Sequence, residues 1–145
     1  MKFWASVECD QASYPAIRKT RQHIEPFLNS ALEKSNLVNL EATLLYVPIV
    51  MPDERRERYP ARSKLRKKEK AYDCSPQLNY EVFINGTFED QLREYLHGIA
   101  SSAPHLAGLG ASKKQIAEFQ EIIDSAADQI LAAHTKQSQF PPTIN

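Results

Sequence analysis

Apolar and polar residues alternate from Lys2 to Cys9, with Phe3, Ala5, Val7 and Cys9 on one side and Lys2, Trp4, Ser6 and Glu8 on the other. A period of two is the signature of a half-buried strand. Trp4 thereby falls among the polar positions. An aromatic ring there is either covered by a further layer or offered to a partner, and the bulk of the indole favours burial. The period then changes. Ile17, Ile24, Leu28, Ala31 and Leu32 recur at helical spacing behind Ser13 as a cap and Pro15 in the first turn, so a first helix is expected to about Lys34. Pro26 lies inside it and lacks the amide that would bond to Gln22, which predicts a kink or a break into two helices.

Ala42 to Met51 is apolar at nearly every position, as in a second strand covered on both faces. Pro48 must then sit at a bulge or turn its missing amide away from the neighbouring strand. Asp53 to Lys70 has almost no apolar content beyond Tyr59 and Leu65 and reads as a long exposed connection. Alternation resumes at Tyr72, Cys74, Pro76 and Leu78, giving a third strand from about Ala71 to Asn79, with Tyr80 to Asn85 open to either more strand or a short helix. Thr87 caps a second helix with an apolar stripe of Phe88, Leu92, Tyr95, Leu96 and Ile99, ending by Pro104. Ser112 and Gln115 form a capping box for a third helix that carries Ile116, Phe119, Ile123, Ala126 and Ile130 to about His134. Residues 137–145, with Phe140, Pro141 and Pro142, are expected to be a mobile tail. The order β-α-β-β-α-α points to an α+β fold in one domain over residues 1–136, a three-stranded sheet packed against three helices. Strands two and three are expected to be antiparallel, while the length of the crossover helix permits a parallel pair between strands one and two.

Composition narrows the function. With 145 residues, 42% hydrophobic and 25% charged, the chain is large and apolar enough to bury its own core without metals or disulfides. No signal-like or membrane-spanning apolar run is present, which points to a cytoplasmic protein with Cys9 and Cys74 as buried thiols. Nothing resembles a nucleophile elbow or a phosphate-cradling loop, since Gly108-Leu109-Gly110 stands alone. His23, His97, His105 and His134 are scattered without metal-ligand spacing. No enzyme, cofactor or metal is therefore expected.

Charge is what remains. The net charge is zero, yet Asp53 to Lys70 carries nine basic against four acidic residues, and Ala71 to Asn145 carries four against nine. The basic run, with Arg55, Arg56, Arg58, Arg62, Arg66 and Lys67, could meet phosphates and make the chain a small nucleic-acid-binding module. The acids interspersed in that run weaken the attraction and favour a solvated loop. The acidic half, with Glu89, Asp90, Glu94, Glu118, Glu121 and Asp124, offers the opposite surface to a basic protein.

Several local strings resemble the immunity protein 44 family of bacterial polymorphic toxin and contact-dependent inhibition systems. They are Met1-Lys2-Phe3-Trp4-Ala5-Ser6-Val7-Glu8, Tyr46-Val47-Pro48-Ile49-Val50-Met51-Pro52-Asp53, and Lys67-Lys68-Glu69-Lys70-Ala71-Tyr72-Asp73. The last continues into Leu78-Asn79-Tyr80-Glu81-Val82-Phe83 and the helix with Gln91 and Leu92. Pro76 departs from the family's regular strand. The resemblance implies a small α+β protein that binds a cognate toxin domain, such as a nuclease, in a one-to-one complex and blocks it. Aromatic anchors for such a contact are expected among Trp4, Tyr59 and Tyr72, because a few desolvated aromatic side chains usually dominate an interface. The contact is sought on the acidic residues of the C-terminal half if the toxin is basic, and on the basic run if it is acidic.

Overall fold

A computed structural model describes residues 1–52 and 71–139. The elements run β1 (Lys2–Ala5), β2 (Glu8–Cys9), α1 (Tyr14–Glu33), a 3-10 turn (Asn36–Asn39), β3 (Thr43–Tyr46), β4 (Ile49–Val50), β5 (Ala71–Cys74), α2 (Tyr80–Asn85), α3 (Phe88–Ala100), a 3-10 segment (Ala103–Leu109) and α4 (Lys113–Gln139). The mixed helix-and-strand class is as expected, but the order is richer.

β1, β3 and β5 are hydrogen-bonded in that order, and β2 pairs with β4. Every pairing is parallel. The antiparallel expectation for strands two and three is thus overturned. The stretch between Tyr46 and Ala71 far exceeds the roughly one dozen residues that a parallel crossover needs, so the chain can return to the same end of the sheet. Two prolines explain why the expected strands are interrupted. The carbonyl of Pro48 accepts from Glu8 N (3.1 Å), and in a parallel ladder a residue's N–H and C=O face the same neighbour, so the missing amide falls between β1 and β2. Likewise the carbonyl of Pro76 accepts from Ile49 N (2.9 Å), and its absent N–H cannot return a bond to β3's continuation. The third strand accordingly ends at Cys74, well before Asn79, and Tyr80–Asn85 is helical with Asn79 as its cap.

Phe3, Ala5, Leu44, Tyr46 and Cys74 join one core with Ile17, Ile24 and Leu28 of α1 and Leu92, Tyr95 and Ile99 of α3. α1 is a single span through Pro26. Ser13 precedes it without a hydroxyl cap; its Oγ is instead held by Asp10 Oδ1 at 2.9 Å. α4 packs chiefly on α1, α3 and the two 3-10 segments, as a second helical layer behind the first. It runs past the expected end at His134 as far as Gln139, so part of the expected tail is helix.

At the centre of the core the Tyr46 hydroxyl donates to the Tyr95 carbonyl at 2.9 Å, and the two rings meet edge to face at 4.9 Å. Gly98 makes room for that hydroxyl, because a Cβ at this position would run into it.

Candidate interaction surface

The acidic residues of the C-terminal half lie on two neighbouring helices. Phe88 of α3 meets His134 of α4 (4.8 Å between rings), and Arg93 Nη2 meets Asp128 Oδ1 (3.2 Å), so one helix number rises as the other falls. The helices are antiparallel. Glu121, Asp124 and Asp128 fall at i, i+3 and i+7 and form one exposed stripe along α4. Glu89 and Asp90 are exposed in the first turn of α3, where the helix dipole favours carboxylates. Arg93 is the one arginine or lysine of α3 and bridges this face, reaching Glu89 at 3.5 Å as well as Asp128. Its pKa is raised, first by the hydrogen bond to Asp128.

Several of these acids already have structural tasks. Asp90 closes the capping box with Thr87, its amide donating to Thr87 Oγ1 at 3.1 Å. Glu118 accepts from the Asn36 amide at 3.0 Å and ties α4 to the first 3-10 turn. Glu94, Glu121 and Asp124 make no ion pair among the described residues. Asp128, which the sequence reading omitted, completes the stripe; its spacing of four from Asp124 was the available signal.

The aromatic candidates separate. Trp4 lies on the sheet face away from α1 and α3, in register with Leu45, and is 47% exposed. The expectation of burial fails because no described helix covers that side of β1. Tyr72 sits in β5 in register with Leu44. Tyr59 lies outside the described residues, as do Arg55, Arg56, Arg58, Arg62, Arg66 and Lys67. Trp4 and the acidic stripe are therefore on opposite sides of the helical layer formed by α1 and α3, and they do not form one site.

The histidines are less scattered than the sequence suggests. His23 of α1 and His134 of α4 approach with ring centroids 5.6 Å apart, and both contact Phe88. Lys19 Nζ sits 4.9 Å above the Phe88 ring. These contacts join three helices at one corner. Cys74 is buried, but Cys9 is only partly so, and both are free thiols. Burial raises the pKa of each. Among the described residues no group of three or more potential metal ligands comes together, and no helix is long and apolar enough to cross a membrane.

The family model for immunity protein 44 matches residues 1–129. The chain belongs to the immunity protein 44 family. That match reaches through β1 to β5 and into α4, beyond the strings that carried the resemblance in sequence. No curated protein and no solved structure matches the chain. As a member of this family the chain is an immunity protein.

Proposed function

We propose that this protein neutralises a cognate bacterial toxin domain by binding it one to one in the cytoplasm, without catalysis of its own. Membership of the immunity protein 44 family is the observation that carries this reading. The acidic face of α3 and α4 supports a basic toxin domain, such as a nuclease, as the partner. Glu121 and Asp124 are its centre, since they are exposed and not engaged by neighbouring described residues. Glu89, Asp90, Glu94 and Glu118 are the further acids carried by these two helices, and complementary charge of this kind accelerates encounter more than it deepens affinity.

Co-expression of the toxin domain of the neighbouring gene with and without this chain tests the reading. Protection of the cell and a one-to-one complex on size-exclusion chromatography are expected. Equal killing in both cases, with no complex on the column, would show the reading to be wrong. Replacing Glu121 and Asp124 together by lysine should slow association by roughly tenfold at low salt and much less at high salt. An unchanged association rate would move the contact off this face.

A further inference from the structure

β1 is an edge strand of the three-stranded sheet among the described residues. Among the described residues β1 pairs with β3 alone, and the amides of Lys2, Ser6, Glu8 and Asp10 donate to the carbonyls of Ala42, Tyr46, Pro48 and Val50. Backbone direction alternates along a strand, so Phe3, Ala5 and Val7 turn their N–H and C=O groups outward. Those groups make no hydrogen bond among the described residues. An unpaired edge of this kind is a template for another strand unless charge, proline or a covering element blocks it.

The side chains on this edge select the strand that fits. Read about Ala5, the segment Lys2 to Glu8 is complementary to its own reverse. With two copies antiparallel, Lys2 lies opposite Glu8, Phe3 opposite Val7, Trp4 opposite Ser6, and Ala5 opposite itself. The parity is also right, because Phe3, Ala5 and Val7 are the residues whose backbone groups face out and would form the hydrogen-bonded pairs. Both ends then gain an ion pair across strands. Trp4 comes diagonally beside Trp4 of the second copy, a separation that aromatic rings can bridge. This accounts for an indole 47% exposed on a strand face.

We propose that the protein forms a symmetric dimer in which the Lys2–Glu8 segments of two copies, β1 continuing into the start of β2, pair antiparallel about a two-fold axis at Ala5, extending the sheet across both. The neighbouring surface agrees. Asn29 and Glu33 of α1 share a groove with Met1, Lys2 and Phe3 and with Leu40 to Thr43 at the start of β3, so α1 approaches the N-terminal end of β1. On α1, Tyr14, Arg18, Gln22, Glu25 and Asn29 line a further open groove of about 460 Å³. A two-fold axis perpendicular to the sheet places α1 on the same face of the extended sheet in both copies. This edge and the acidic stripe lie on opposite sides of the α1 and α3 layer, so such a dimer leaves the stripe uncovered.

Sedimentation and light scattering of the full chain over a wide concentration range should show a dimer that dissociates on dilution. The emission of the single tryptophan should shift to the red as it does so. Lys2→Glu puts like charges opposite each other at both ends, and Glu8→Lys does the same with the opposite sign. Each should weaken the dimer by roughly tenfold. The double variant Lys2→Glu/Glu8→Lys restores opposite charges in this register alone and should recover wild-type affinity. Far-ultraviolet circular dichroism of the diluted variants checks that each is folded. A chain monomeric at every concentration overturns the proposal. So does a dimer insensitive to the single changes, a double variant no tighter than either single one, or a monomer whose β1 edge is needed for toxin binding.

Discussion

Tyr46 and Tyr95 show how much depends on where a single hydroxyl points. Both are buried on the same core, yet the Tyr46 hydroxyl bonds to the Tyr95 carbonyl whereas the Tyr95 hydroxyl has no partner among the described residues. Tyr46→Phe should therefore cost about 1 kcal/mol, and Tyr95→Phe should be neutral or stabilising, because it removes a buried polar atom that gains nothing. Urea unfolding of the two variants checks the contrast. Burial raises the pKa of both phenols. The folded state thus holds these protons more tightly than the unfolded chain. Their contribution to stability is full below the unfolded value of about 10 and is lost as pH rises above it. Tyr46→Phe should flatten that alkaline loss in a series of melts. Gly98→Ala, which thrusts a methyl group against the Tyr46 hydroxyl, should destabilise by about 1–3 kcal/mol.

At the scale of elements, local signals acted as expected wherever the partner was close in sequence. The Thr87–Asp90 box and the reciprocal Ser112–Gln115 bonds (2.9 and 3.1 Å) both form. Thr87→Ala should cost about 1 kcal/mol, measured by thermal melting. Pro26 is the opposite case. It sits exposed within α1 without ending it, because Ile24, Leu28 and Leu32 beyond and around it are anchored in the core. Packing here outweighs the lost hydrogen bond. Pro26→Ala should restore the bond to Gln22 and raise stability by about 1 kcal/mol or more, visible as a higher midpoint in denaturant. Ser13 has the residue type of a hydroxyl cap but does not act as one, because its Oγ is engaged by Asp10, a contact that the sequence pattern does not reveal.

On the scale of the whole molecule, α4 is held through its apolar stripe against a helical layer that itself rests on the sheet. Phe119 is fully buried in that contact. Phe119→Ala should cost about 3–5 kcal/mol. Hydrogen exchange would show lost protection along α4 before it appears in β3. The acidic face would then lose one of its two helices, so toxin affinity should fall even though Phe119 is not on the surface.

The alternation of Lys2–Cys9, the unbroken apolar run around Leu44–Tyr46 and the helical stripes behind Thr87 and Ser112 determined by themselves that the chain mixes strands and helices, because each pattern reflects burial on one side or both of a regular backbone. The strings matching the immunity protein 44 family were legible for the same reason, being contiguous. Strand direction was not, since a long connection permits either sense and only packing of the whole chain selects one. The lengths of β3 and β5 depended on which side the missing amides of Pro48 and Pro76 would face, a property of the neighbouring strand. The same holds for the surface. Charges in the C-terminal half and the helical spacing of Glu121, Asp124 and Asp128 could be read in sequence, but only the antiparallel approach of α3 and α4 decided that Arg93 reaches Asp128, and only the strand order decided that Trp4 stands on an edge strand of the described sheet, because both depend on partners distant along the chain.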